Sequence, residues 1–121
     1  MAKILICDNE EPLRALVRAA LDGHEIHEAR DGDESLDRAR ALRPDLIVLD
    51  MMMPGRTGLE VLEEIRSDPG LTGTRVVMLT ARAQASDHAA AQHAGADRFV
   101  IKPFSPLRLA ATVEELLESG A

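Results

Sequence analysis

The chain has little aromatic character, and this absence already excludes several functions. It contains no tryptophan, no tyrosine and two phenylalanines among 121 residues. Few side chains are therefore present to stack on exposed nucleobases, which argues against binding of single-stranded nucleic acid. The single cysteine, Cys7, cannot form an intrachain disulfide, which suits a reducing compartment. A domain of this length needs no such cross-link to bury a core.

Basic charge and long apolar runs are also scarce. The 14 lysines and arginines face 21 aspartates and glutamates, for a net charge of −7. A non-specific nucleic-acid binder needs a basic face, so we expect no direct nucleic-acid binding. The apolar runs are too short to cross a membrane, and the N-terminus lacks the pattern of a secretory signal. We therefore expect one cytoplasmic domain over residues 1–121.

What the sequence does contain is five apolar runs, each followed by an amphipathic segment. The runs predict strands at residues 3–7, 24–29, 46–49, 75–79 and 98–101. The segments between them predict helices. A Thr57-x-x-Glu60 capping box opens the third helix, and the spacing of Leu13, Leu16 and Val17 predicts the apolar face of the first.

This alternation predicts an α/β fold, in which a parallel sheet carries helices on both faces. The run at residues 46–49 is the most hydrophobic, as expected for a central strand covered on both sides. In such folds, ligands bind outside the carboxyl ends of the strands. The residues that follow each strand are therefore the first candidates for a functional site.

Polar side chains that could form one site follow the first, third, fourth and fifth predicted strands. Asp8 and Asn9 end the first strand, Asp50 the third, Thr80 the fourth and Lys102 the fifth. Two facing carboxylates repel each other unless a cation lies between them, and oxygen ligands with water favour Mg²⁺ over zinc or copper. A carboxylate beside a divalent cation, a lysine and a hydroxyl is an arrangement suited to phosphoryl transfer.

The chain resembles the receiver domains of two-component response regulators, and in size the single-domain chemotaxis regulators. The resemblance covers essentially the whole chain. It is carried by Ile4-Leu-Ile-Cys-Asp8-Asn9-Glu-Glu-Pro12, Asp45-Leu-Ile-Val-Leu-Asp50-Met-Met-Met-Pro54-Gly55 with Gly58, Met78-Leu-Thr80-Ala81, Gly95-Ala96-Asp97 and Lys102-Pro103-Phe104. It implies a flavodoxin-like (βα)5 fold with strand order 2-1-3-4-5.

The resemblance also implies a role for each carboxylate. Asp50 is expected to accept a phosphoryl group from a sensor histidine kinase or a phosphotransfer protein. Asp8, Asn9, Asp50 and the backbone carbonyl of Met52 are expected to hold Mg²⁺. The protein is then expected to be a phosphorelay component. It would catalyse its own phosphorylation and dephosphorylation, but it would not catalyse a metabolic reaction.

Three further residues have roles that the resemblance implies. Thr80 is expected to hydrogen-bond the phosphoryl group, and Lys102 to form an ion pair with it. The Lys102-Pro103 peptide bond is expected to be cis. Phe99 occupies the aromatic switch position, which responds when Thr80 moves. A downstream protein is expected to read the face formed by helix four, strand five and helix five.

The sequence departs from the usual family pattern at several positions. Asn9 replaces the second acid of the metal site, which predicts weaker Mg²⁺ binding. Met52 and Arg82 occupy positions that tune loss of the phosphoryl group, and Met52 predicts a long-lived phosphoryl group. Arg98 and Thr112 lack the charges that winged-helix relatives commonly use for a salt-bridged dimer, which argues against that dimer.

Several alternatives remain open from the sequence. The chain is either a stand-alone regulator or the receiver of a longer protein. A degenerate receiver that acts as a scaffold is the main functional alternative, supported by Asn9. A small flavodoxin-like electron carrier lacks the expected phosphate loop and aromatic residues, and a related metal phosphohydrolase lacks Asp-x-Asp after the first strand.

Overall fold

The computed structural model describes residues 1–81 and 85–118, in which five strands alternate with five helices. The strands are β1 (Lys3–Cys7), β2 (Glu25–Ala29), β3 (Leu46–Asp50), β4 (Arg75–Ala81) and β5 (Arg98–Lys102). The helices are α1 (Glu11–Ala20), α2 (Gly32–Leu42), α3 (Gly58–Ser67), α4 (Ala85–Ala94) and α5 (Pro106–Glu118). Every predicted strand and helix is present. The helices of the described ranges are too short and too polar to cross a bilayer.

All strand pairs are parallel, and the strand order is β2-β1-β3-β4-β5. This confirms the predicted flavodoxin-like arrangement. β3 is central, with Ile47 opposite Leu5 of β1 and opposite Val76 of β4. All five residues of β3 are buried, which agrees with the prediction of a strand covered on both faces.

Helices cover both faces of the sheet and form two apolar clusters. Alternate residues along each strand point to opposite faces. Leu5 and Cys7 contribute to the cluster under α2, α3 and α4, whereas Ile4 and Ile6 contribute to the cluster under α1 and α5. The two clusters thus bury both faces of the sheet, and its carboxyl edge carries the loops that follow the strands.

The apolar face of α1 differs from the prediction. Val17 is fully buried, but Leu16 is 43 % exposed. Arg14 is buried instead, at 7 % exposure. The helix packs mainly against β1 and α5, so the buried stripe is narrow and Leu16 lies outside it. The predicted inward position of Leu16 was therefore wrong.

The predicted capping box at the start of α3 is confirmed. The Thr57 hydroxyl accepts a hydrogen bond from the Glu60 amide at 3.2 Å, and the Glu60 carboxylate accepts one from the Thr57 amide at 2.9 Å. Both amides would otherwise lack partners at the helix N-terminus. The pair therefore sets where α3 begins after the loop that follows Asp50.

Candidate functional site

The carboxyl edge of the sheet brings together Asp8, Asp50 and Lys102 from three strands. The Lys102 ammonium nitrogen Nζ lies 3.1 Å from Asp50 Oδ1 and 3.4 Å from Asp8 Oδ2. Asp8 is fully buried and Asp50 is 3 % exposed. Lys102 lies between two carboxylates that are removed from bulk water, which makes each ion pair stronger than on the open surface.

Asp8 is anchored by its neighbours in the β1–α1 connection. Its Oδ1 accepts a hydrogen bond from the Glu10 amide at 2.8 Å, which leaves Oδ2 directed to Lys102. The residue that caps α1 is Glu10, without a side-chain cap, so Asp8 and Asn9 are not the helix cap. Asn9 is exposed beside the buried Asp8.

Asp50 is positioned by a tight β3–α3 connection. Its Oδ1 accepts a hydrogen bond from the Met52 amide at 3.2 Å. Gly58, at the start of α3, packs against the backbone of Asp50 and Met51, and a Cβ there would collide with the Asp50 carbonyl oxygen. The Met52 side chain is 62 % exposed, whereas Met53 is buried in the core.

The electrostatics of the pocket raise the pKa of Asp50 to about 6. Burial is the largest cause, and the charge of Asp8 adds to it, while the Met52 amide and Lys102 act in the opposite direction. Burial alone lowers the pKa of Lys102, but the charges and hydrogen bonds of Asp50 and Asp8 outweigh it and raise that pKa. The site thus sets the Lys102 ammonium against two buried carboxyl groups.

Thr80 and Phe99 occupy the adjacent strands β4 and β5. Thr80 is 1 % exposed, and its hydroxyl donates a hydrogen bond to the Ala81 carbonyl at 3.3 Å. Phe99 packs against the cluster under α2, α3 and α4 and lines a surface groove with Phe104 and Arg108. The Lys102-Pro103 bond is cis, as predicted. Arg82 lies outside the described residues.

The pocket offers oxygen ligands to a hard cation. Within residues 1–81 and 85–118, no group of three or more histidine, cysteine, aspartate or glutamate side chains could hold a metal. The two carboxylates of Asp8 and Asp50, extended by carbonyl or amide oxygens and water, form the kind of donor set that suits Mg²⁺. The sulfur and imidazole ligands that softer metals prefer do not form such a group here.

Sequence reasoning missed Arg14, which contacts Asp8, and Glu28, which pairs with Arg14. Arg14 of α1 donates a hydrogen bond to the Asp8 carbonyl oxygen at 2.8 Å, and it pairs with Glu28 of β2 at 2.9 Å. An arginine among the apolar positions of α1 was the only available signal. The helical pattern alone does not show whether such an arginine faces solvent or a buried acid.

The strand order and the helices on both faces define a flavodoxin-like α/β domain with a polar site at its carboxyl edge, and comparison with known proteins identifies the family. The response regulator receiver domain family matches residues 4–114, and the chain belongs to this family. It is 38 % identical over 121 residues to the transcriptional regulatory protein ResD of Bacillus subtilis, covering 98 % of this chain and 49 % of that protein. It is 38 % identical over 117 residues to the DNA-binding response regulator MtrA of Mycolicibacterium smegmatis, covering 95 % and 50 %.

Solved structures give the same result. The chemotaxis protein CheY4 of Vibrio cholerae superposes with a TM-score of 0.88 at 32 % identity, covering 95 % of this chain and 98 % of that one. The receiver domain of NtrX from Brucella abortus superposes with a TM-score of 0.88 at 33 % identity, covering 96 % and 98 %. The chain spans about half the length of the curated relatives above.

Family membership places the chain among the receivers of two-component systems. Receiver domains are regulators that interact with histidine kinases and phosphotransfer proteins, and they bind Mg²⁺ at the phosphorylation site. They are not metabolic enzymes in the ordinary sense.

Proposed function

We propose that residues 1–121 form a receiver domain that takes a phosphoryl group onto Asp50 and signals through altered protein contacts. One observation carries the proposal: the Lys102 ammonium lies within 3.4 Å of two buried carboxylates, Asp8 and Asp50. Burying two acids beside one another is costly, and a purely structural role would not compensate for that cost. A site that attracts cations to a reacting carboxylate explains why both acids are buried there.

The donor is the phosphohistidine of a sensor kinase or phosphotransfer protein. An Asp50 oxygen attacks phosphorus, an O–P bond forms, and the P–N bond to the donor imidazole breaks. The imidazole leaves with the electron pair of that bond and takes a proton from water. Because the pKa of Asp50 is about 6, the carboxylate is mostly ionised, and nucleophilic, at neutral pH.

Lys102 and Thr80 assist without forming covalent bonds. The Lys102 ammonium already touches Asp50, so it is placed to neutralise charge on the oxygens of the transferred group. The Thr80 hydroxyl, which donates to the Ala81 carbonyl, is proposed to turn and donate to a phosphoryl oxygen instead. We propose that Phe99 responds to this change of hydrogen-bond acceptor. The response of Phe99 would then alter the surface that a downstream protein binds.

Asp8, Asn9, Asp50 and the Met52 carbonyl are the proposed Mg²⁺ ligands. Mg²⁺, when bound, withdraws negative charge from the phosphoryl oxygens during transfer. Asn9 offers an oxygen but no charge, so we propose that this chain binds Mg²⁺ more weakly than receivers with two acids there. The Met52 amide contacts Asp50 and the Met52 side chain is exposed, and we propose that this side chain slows access of water to the acyl phosphate.

The proposed output surface is the face formed by α4, β5 and α5, which a downstream protein binds. Phe99, Phe104 and Arg108 line a groove on it. Arg98 forms an ion pair with Glu115 of the same chain at 3.4 Å. Both side chains of this pair are largely exposed, and the expectation that the salt-bridged dimer does not form stays a prediction.

The test is phosphorylation by acetyl phosphate with and without Mg²⁺, followed by intact mass spectrometry. We expect one added phosphoryl group, dependent on Mg²⁺, in the wild type and none in Asp50→Asn. Asp22→Asn, an exposed aspartate between α1 and β2, is the matched control and should behave as the wild type. A kinase donor should be tried before a negative result is accepted.

The competing scaffold function predicts no phosphorylated form from either donor. A phosphorylated form that persists in Asp50→Asn would instead place the acceptor elsewhere. Apart from Asn9, nothing in the described parts of the chain favours the scaffold, since Asp50, Thr80 and Lys102 are all present and buried or half-buried.

A further inference from the structure

A buried arginine lies directly behind the acidic pocket. Within the described residues, Arg14 is the one buried basic side chain, at 7 % exposure. Its Nη1 donates to the backbone carbonyl oxygen of Asp8 at 2.8 Å, and its Nε donates to Glu28 Oε1 at 2.9 Å. A buried guanidinium is costly unless its donors find acceptors, and these two contacts supply acceptors from the residue that follows β1 and from β2.

The contact with Asp8 completes the restraint of that residue. The Asp8 amide donates to the Ala29 carbonyl at 3.1 Å, and Asp8 Oδ1 accepts from the Glu10 amide at 2.8 Å. With the carbonyl held by Arg14, only Oδ2 remains directed to the pocket. Because the peptide unit is planar, fixing the Asp8 carbonyl also fixes the amide of Asn9 and the direction in which the chain leaves β1.

Glu28 holds Arg14 and neutralises it. Its second oxygen accepts a hydrogen bond from Arg18 Nε at 2.7 Å. The Arg18 side chain is 49 % exposed and makes no hydrogen bond to Asp8 among those described, whereas the Arg14 side chain is 9 % exposed. The two arginines therefore share the Glu28 carboxylate, but of the two only Arg14 is seen to hydrogen-bond Asp8. This difference provides a matched pair for experiment.

We propose that Arg14, held by Glu28, is a positioning residue that orients Asp8 and Asn9 for binding of a divalent cation. The inference rests on the proposed function, since it assigns a role to a residue behind the proposed ligands. Partners that orient metal ligands typically contribute about 10–100-fold to metal affinity. Charge alone predicts the reverse, because removing a positive charge near a cation site should strengthen cation binding.

The sign of the effect therefore separates the two explanations. The experiment is a Mg²⁺ titration of the metal-stripped full chain, followed by backbone amide shifts in ¹H–¹⁵N NMR spectra. We expect Arg14→Met to raise the dissociation constant for Mg²⁺ by about 10-fold or more. Arg18→Met removes the other positive charge that pairs with Glu28, and its dissociation constant for Mg²⁺ should stay within about 2-fold of the wild-type value.

A kinetic measurement provides a second readout. In phosphorylation by acetyl phosphate, Arg14→Met should need about 10-fold more Mg²⁺ for half-maximal rate, with the rate at saturating Mg²⁺ nearly unchanged. A purely structural defect would lower the saturating rate or the folded fraction instead. Circular dichroism of each variant without Mg²⁺ monitors the folded fraction.

Two results overturn the inference, and they are distinguishable. If the wild type shows no saturable Mg²⁺ shift, the proposed function fails and this inference fails with it. If the wild type binds Mg²⁺ and Arg14→Met binds it equally or more tightly, the positioning role alone fails. Should Arg14→Met not fold, Arg14→Lys keeps the charge but loses the forked contact. We expect Arg14→Lys to bind Mg²⁺ at least about 3-fold more weakly than the wild type, and unchanged binding would refute the role of the forked guanidinium contact.

Discussion

Replacing the Asp50 carboxylate with an amide should stabilise the metal-free domain at neutral pH. The pKa of Asp50 is raised from 3.8 to about 6, chiefly by burial, so the folded state disfavours the ionised carboxylate. Asparagine has nearly the same shape and carries no charge. Asp50→Asn therefore removes the cost of the buried charge while keeping an acceptor for the Met52 amide.

The magnitude and its pH dependence follow from the two pKa values. Below about pH 3 the carboxyl is mostly protonated in both folded and unfolded states, and the substitution should change little. Between about pH 4 and 6 the unfolded state releases its proton and the folded state retains it, so wild-type stability falls as pH rises. At about 1.4 kcal/mol per pKa unit, the gain for Asp50→Asn should reach about 2–3 kcal/mol above pH 6.5.

The assay is urea unfolding followed by far-ultraviolet circular dichroism, because the chain has no tryptophan or tyrosine for fluorescence. A chelator must be present, since a cation bound only by the folded wild type would stabilise it and mask the effect. Thermal melts at about pH 7.5 should show a rise of roughly 10 °C for a domain of this size.

Asp22→Asn serves again as the control, because its carboxylate is exposed and the change should lie within about 0.5 kcal/mol. Two outcomes would refute the reasoning. One is no gain for Asp50→Asn at about pH 7.5, and the other is an equal gain at about pH 3, where both states carry mostly the neutral acid.

Three further predictions concern the same pocket. Gly58→Ala should destabilise the fold by about 1–3 kcal/mol in urea unfolding, because the new Cβ meets the Asp50 carbonyl and comes within 2.8 Å of Met51 Cα. Gly73→Ala, where no atom lies within 4 Å of the added Cβ, is the control and should change stability by less than about 0.5 kcal/mol. Asn9→Asp should lower the Mg²⁺ dissociation constant several-fold in an NMR titration, and equal affinity would contradict the charge argument. Met52→Asn should accelerate loss of the phosphoryl group, measured by mass spectrometry after donor removal, and an unchanged rate would contradict shielding by Met52.

Much of the architecture could be read from local patterns in the sequence. The run Leu46–Leu49 is apolar on both faces, so it had to be a covered central strand, and β3 is buried throughout. Asp50 and Lys102 each follow such a run. Chain connectivity in a parallel sheet brings all carboxyl ends to one edge, so their convergence was predictable without knowing any distance.

Strand order could not be derived from the residues themselves. Several orders of the same five strands would bury the same faces, and the predicted order came from the family resemblance. Hydrogen bonding in three dimensions decides it, with β1 between β2 and β3.

The environment of the pocket was also beyond the sequence alone. Nothing local distinguishes an exposed arginine from Arg14, which becomes buried because Glu28 of β2 and the Asp8 carbonyl lie opposite it. The raised pKa of Asp50 likewise depends on burial and on the charge of Asp8, which is 42 positions away in the chain.

The sequence by itself therefore determined which residues form strands and helices and which polar groups reach the carboxyl edge, because side-chain periodicity and chain connectivity are local properties. Only the tertiary structure decided the strand order, the burial of Arg14 and the shared contact of Lys102 with Asp8 and Asp50. Those features arise from packing and from electrostatic interactions across space, which depend on distances between residues that are far apart in the chain.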